Sequence, residues 1–172
     1  GLRRHTLDVV GDSLTGKRFR FVGLSLVERL TGVGWEGFAC EKSEVSGARL
    51  WGFAKQRFAE PERFFRSFFV VNYCPLVFME KSGKNFTPDK LKASERDPVF
   101  AACDEALRKI ARLLEPEWVI GVGGFAEERA KEALGEGTYR YGRVLHPSPA
   151  SPLANKDWPG NAAKSLTSYG LL

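Results

Sequence analysis

The sequence predicts an α/β fold, a three-layer α/β/α sandwich around a central, mostly parallel sheet, in a single domain of residues 1–172. Three observations carry this reading. Strands are expected at 68–71, 118–122 and 139–145, and the continuous apolar run at 68–71 suits one buried on both faces. Helix-length periodic segments alternate with them, and that alternation favours parallel pairing with helices on either side. The 172 residues, 43% apolar and 27% charged, are long enough for one core and too apolar for wholesale disorder.

The elements follow in order. Residues 1–45 are the least legible: glycines are scattered, and Arg3, Arg4, Lys17, Arg18 and Arg20 outnumber Asp8 and Asp12. A short helix fits 25–30. Ser46 can cap a helix with Leu50, Trp51, Ala54 and Phe58 on one face. Pro61 opens a further helix. The strand at 68–71 stops at Asn72-Tyr-Cys-Pro75, and a polar loop follows over 81–88. Asp97 caps and Pro98 opens a helix whose apolar face is Val99, Cys103, Ala106 or Leu107, Ile110, and Leu113 or Leu114. A strand at 118–122 leads through Gly123-Gly124 into a helix over 126–134. The strand at 139–145 delivers His146-Pro-Ser-Pro149, and a last helix runs from Pro159 or Gly160 to Tyr169.

Composition excludes several classes. The 26 Lys and Arg exceed the 21 Asp and Glu by five, a weak pointer to a polyanionic partner. Three cysteines, Cys40, Cys74 and Cys103, lack CxxC spacing, which argues against disulfide frameworks and four-cysteine metal sites. They read as reduced thiols of an intracellular protein. No run approaches the ~20 apolar residues of a membrane span, and the opening Gly1-Leu-Arg-Arg-His5 has no apolar sequel and reads as no signal peptide.

In a parallel α/β sheet, ligands sit beyond the carboxyl ends of the strands. Three segments are expected to converge there: 72–75, 121–124 and 146–149. Gly121-Val-Gly-Gly124 could present backbone amides to one phosphate, but it is neither GxGxxG nor a Walker loop, and a tight turn explains it equally. His146, set between an apolar strand end and two prolines, could be a pre-positioned catalytic group or a surface histidine in a turn. The Asn72 carboxamide matches the edge of a base, or it satisfies its own turn. The lysines at 81, 84, 90 and 92 could face phosphates or solvent.

His146-Pro-Ser-Pro-Ala-Ser-Pro-Leu-Ala-Asn-Lys-Asp-Trp158 resembles the carboxy-terminal motif of single-strand-selective monofunctional uracil-DNA glycosylases. Further strings match in the same order: Ser43-Glu-Val-Ser-Gly-Ala-Arg-Leu-Trp-Gly52, Asn72-Tyr-Cys-Pro-Leu76, Ser82-Gly-Lys-Asn-Phe-Thr-Pro88 and Val119-Ile-Gly-Val-Gly123. The resemblance covers 38–172; residues 1–35 match poorly.

This resemblance implies the fold of uracil-DNA glycosylases, with no metal and no other cofactor. It implies a monomer that meets no membrane and acts on DNA. The reaction it implies is hydrolysis of the N-glycosidic bond of uracil, and of oxidised 5-substituted uracils, in DNA repair. By position it makes Asn72 the reader of the uracil edge and His146 the group that stabilises charge on the departing base. It makes Pro147, Ser148, Pro149, Ala150 and Ser151 the loop that enters the duplex, with Gly123 and Lys84 beside the phosphates. Ala150 stands where some relatives carry arginine.

The family's first motif, Gly-x-Asn-Pro-Gly, is missing. An ungapped count back from Ser25 puts Phe21 at the base-stacking position and Asp8 at the water-orienting one. The alternatives are an amino end truncated or altered, or a site whose chemistry is lost. A non-catalytic DNA-binding relative is therefore one rival reading. An enzyme that binds small nucleotides through 121–124 is the other.

Overall fold

The computed structural model describes residues 45–76, 78–79 and 85–172, which fall into two compact units. One is Ala54–Lys90; the other joins Ser43–Phe53 to Leu91–Leu172. The expected helix at 25–30 lies outside the described residues, as does Cys40.

Helix α1 (Val45–Phe58) starts one residue before Ser46, which therefore lies inside its first turn and not at the cap. Its buried side chains are Phe53 and Ala54, whereas Trp51 is 48% exposed. The expected face thus exchanges Trp51 for Phe53. The reason is packing: Phe53 meets Trp158 edge-on, with centroids 5.9 Å apart.

In the Ala54–Lys90 unit, α2 (Pro61–Phe65) opens on Pro61, whose fixed φ suits a first helical position. The strand expected at 68–71 does not form. The Phe68 N–H bonds to the Phe64 carbonyl at 2.9 Å. The Phe68 ring stacks on Phe64 at 5.2 Å with a 12° interplanar angle, and meets Phe58 at 5.6 Å. Phe69 and Val71 are 39% and 40% exposed. The run is apolar because it closes an aromatic cluster onto a short helix, not because a sheet buries both its faces. Beyond it, β1 (Phe78–Met79) pairs antiparallel with β2 (Asn85–Phe86), Phe78 opposite Phe86.

The other unit carries the parallel sheet. Helix α3 (Ala93–Leu114) begins ahead of the expected Asp97-Pro98 start. The Lys92 carbonyl accepts from the amides of Glu95 and Arg96 at 2.9 and 2.8 Å, so the helix is established before Pro98, which lies inside it. There it removes one helical hydrogen bond, and its ring crowds the carbonyl four residues back. Cys103 and Ala111 are buried, Leu107 and Leu114 are half-buried, and Leu113 is 66% exposed, which fixes the two open choices for this face. Cys74 and Cys103 are in no disulfide.

Strand β3 (Trp118–Val122) runs parallel to β4 (Arg140–Val144), with Trp118 opposite Arg140 and Val122 opposite Val144. The crossover is α4 (Gly124–Leu134), packed on β3 and on α3. Among the described residues this strand pair is the parallel sheet. Gly121 allows the helix to press onto the strand: a Cβ there would stand 2.3 Å from the Glu127 nitrogen. An ion pair, Arg129–Asp104 at 2.5 Å, ties α4 to α3, with side chains only 15% and 16% exposed. The guanidinium also lies 4.8 Å from the Phe100 centroid.

Helix α5 (Pro152–Ser168) is broken at Asp157, which has φ −164° and ψ 78°. The Asp157 Oδ1 accepts the Gly160 amide at 2.9 Å, so the second segment has its own cap. This segment is the helix read from Pro159. The turn before it, at 152–156, hangs on Ser151 as a separate cap. Ala154, Trp158, Ala162 and Leu166 are buried along α5, as Val144 is on β4. The Tyr169 hydroxyl accepts the Arg143 N–H and donates to the Arg143 carbonyl, both at 3.0 Å, which pairs the backbone at the edge of β4.

Candidate active site

The carboxyl ends of β3 and β4 bring two of the three expected segments together. Gly123 follows β3 with φ +95°, a conformation that glycine tolerates and side chains resist. Its N–H donates to the Val144 carbonyl at 2.9 Å, continuing the ladder one step past the strand. A Cβ on Gly123 would lie 3.1 Å from the Cβ of His146 and 3.3 Å from its Cδ2. The glycine turn therefore forms a floor under the imidazole.

His146 is exposed, and its Nδ1 accepts the Ser148 N–H at 3.1 Å. An imidazole nitrogen that accepts carries no hydrogen, so the neutral ring bears its hydrogen on Nε2. The side chain thus offers one fixed donor at the end of β4.

The loop that follows is hydrogen-bonded at nearly every backbone group. Pro147 and Pro149 have no N–H to satisfy. The Ala150 amide donates to Ser148 Oγ at 3.1 Å, and the Ser151 amide to the Ser148 carbonyl at 3.0 Å. The carbonyls draw on side chains from two helices. Trp158 Nε1 donates to Leu145 at 2.6 Å, and Asn155 Nδ2 to Pro149 at 2.8 Å. Arg49, on α1, donates to Pro147 at 2.9 Å and to Ser148 at 3.4 Å. Its other terminal nitrogen donates to Asn155 Oδ1 at 2.8 Å. Ser151 caps α5 by accepting the Ala154 amide at 3.4 Å. Pro147 is buried, while Pro149 and Ala150 are exposed at the tip.

Gly123 is expected beside the phosphates, but its amide is engaged within the protein, as is that of Ser148. The first turn of α4 also lies at this end, and its N-cap, Gly123, supplies no capping side chain.

Asn72 belongs to the other unit, where it is exposed in an irregular segment instead of ending a buried strand. Asp8, Phe21 and Lys84 lie outside the described residues. Among the described residues no group of three or more His, Cys, Asp or Glu could hold a metal ion, and no helix is long and apolar enough to cross a membrane.

Three residues that shape the site were given no role from the sequence: Arg49, Asn155 and Trp158. All stand within the two motif strings at 43–52 and 146–158. The available signal was a loop with two prolines, rich in carbonyls and poor in N–H groups, which needs donors from elsewhere.

No family model matches the chain. Among the curated proteins similar to it are the single-strand selective monofunctional uracil DNA glycosylases of Bos taurus, Rattus norvegicus and Mus musculus. Each is 46% identical over 138 residues, 79% of this chain. The match takes in 51% of the cattle protein and 50% of each rodent protein, so the chain spans about half the length of these relatives.

Proposed function

Because the chain belongs to the single-strand selective monofunctional uracil-DNA glycosylase family over the length it shares with those relatives, we propose that it hydrolyses the N-glycosidic bond of uracil in DNA and leaves an abasic site. Oxidised 5-substituted uracils are proposed as further substrates. The observation that carries the reading is the His146 donor. Nδ1 is held by the Ser148 amide, so Nε2–H is the hydrogen offered at the carboxyl end of β4.

The target base must leave the stack before a side chain can reach its sugar bond, at a cost of about a few kcal/mol that stacking and edge hydrogen bonds offset. In this proposal Asn72 donates to O4 and accepts from N3–H, and Phe21 stacks on the ring. Cytosine presents the opposite polarity at both atoms, leaving buried groups unpaired at ~1–3 kcal/mol each. As the bond lengthens, the sugar becomes cationic and negative charge gathers on the base at O2. A donor already aimed at O2 is stronger in that transition state than in the ground state, and so accelerates the step. Water, oriented by Asp8 or by backbone carbonyls, adds to the sugar carbon as the base leaves with the bonding pair. No lysine is assigned as an imine-forming nucleophile, so the strand stays intact.

The loop at 147–151 enters the strand at the vacated position. Phosphates meet the first turn of α4, the Ser148 hydroxyl and Lys84, so binding weakens as salt rises. The protein acts as a monomer and without a metal or other cofactor.

A uracil-containing single-stranded oligonucleotide tests the reading. Wild-type chain forms abasic sites, and His146→Leu loses ~10²–10³ in rate while still binding DNA, the usual effect of removing one such donor. Binding by wild type without base release marks a non-catalytic DNA-binding relative instead. Thermal stabilisation by free nucleotides and not by DNA marks a nucleotide-binding enzyme.

A further inference from the structure

We propose that Arg49 is a positioning residue for His146, acting through the loop carbonyls it holds. This rests on the base-excision reading and extends it to a residue on α1, remote in sequence from the loop. The hydrogen bonds of Arg49 go to Pro147 at 2.9 Å, to Ser148 at 3.4 Å and to Asn155 at 2.8 Å, and none goes to the imidazole. What reaches the imidazole is the Ser148 amide, on the residue whose carbonyl Arg49 grips.

The geometry explains why an arginine stands here. One terminal nitrogen serves two successive carbonyls while the other serves a carboxamide, and a planar fork delivers both in one rigid unit. Asn155 passes the hold on, since its other end donates to the Pro149 carbonyl at 2.8 Å. Three successive carbonyls, 147 to 149, are thus fixed by one arginine–asparagine pair. The two prolines leave the loop few N–H groups of its own, and within it one backbone bond forms, from the Ser151 amide to the Ser148 carbonyl, so the Pro147 and Pro149 carbonyls depend on this pair. Without Arg49 the peptide plane joining Pro147 to Ser148 is free to turn. The Ser148 N–H then leaves Nδ1, and the imidazole can exchange its tautomer. A ring with hydrogen on Nδ1 offers a lone pair at Nε2, where the reaction needs a donor.

The test uses the full chain with Arg49→Met and Arg49→Lys. Two readouts are taken: single-turnover uracil release with oligonucleotide affinity, and imidazole ¹⁵N shifts. The chain has two histidines, so His5→Gln isolates the His146 signals. In Arg49→Met we expect release to slow about 10–100-fold, as for a slightly misplaced catalytic group, with affinity nearly unchanged. The His146 Nδ1 signal should move from a pure acceptor toward a tautomer mixture. Arg49→Lys keeps the charge without the fork and should recover part of both. Wild-type ¹⁵N shifts with release within about twofold of wild type would overturn the proposal. So would a rate loss with unchanged ¹⁵N shifts. Should Arg49→Met fail to fold, Arg49→Lys alone decides by the same two readouts. If wild type releases no uracil, the excision reading falls, while the ¹⁵N arm still decides whether Arg49 sets the tautomer.

Discussion

Gly123 and His146 come from the ends of two neighbouring parallel strands and touch face to face. A single methyl group on the glycine would sit 3.1 Å from the histidine Cβ. The contact couples a backbone requirement to the placing of the imidazole.

Gly123→Ala meets both constraints at once. The backbone is at φ +95°, where a non-glycine residue costs ~1–3 kcal/mol, and the new methyl presses on the imidazole. Urea denaturation should show a loss of that size. Uracil release should fall further than the fraction unfolded accounts for.

Asn72→Asp replaces the NH₂ donor with an acceptor. If Asn72 reads O4, the aspartate repels it, and the preference for uracil over cytosine should collapse. Competition between oligonucleotides carrying either base checks this. Unchanged uracil excision removes Asn72 from the site.

Two glycine-to-alanine changes should move stability in opposite directions. At Gly121 the added Cβ would meet backbone at 2.3 Å, so α4 and β3 must separate, with a loss of about 3 kcal/mol or more. At Gly52, inside α1 and with nothing within 4 Å, alanine should add ~0.5–1 kcal/mol through helix propensity. Thermal melts of the two variants against wild type measure the contrast.

Trp158→Phe keeps an aromatic ring against Phe53 and removes the Nε1–H that holds the Leu145 carbonyl at 2.6 Å. Leaving that carbonyl unpaired should cost ~1–3 kcal/mol. The carbonyl adjoins His146 in the chain, so uracil release should slow as well, measured in single turnover at a temperature where the variant is fully folded.

Much of the Leu91–Leu172 unit was legible in the sequence. Val119 to Val122 is a short apolar run, and the glycine turn after it leads into a helix. Pro159 marked the second segment of α5 because it sits just inside a helix start. The strand at 68–71 misled because Phe68 and Phe69 are as apolar as strand residues, and periodicity over four positions cannot separate a sheet from an aromatic cluster. Pro98 misled because a proline opens helices more often than it lies within them. The motif strings located His146 at a strand end. The loop's supports were hidden because a hydrogen bond between Arg49 and Pro147 spans 98 residues, and no local pattern records a partner that distant.

The tethered segment from Leu145 to Ser151 has a thermodynamic consequence. Its conformational entropy is surrendered when the chain folds, not when a strand of nucleic acid arrives. In the proposed reaction a wedge already rigid forfeits little freedom at encounter, so more of the contact energy remains to pull a nucleotide out of its stack.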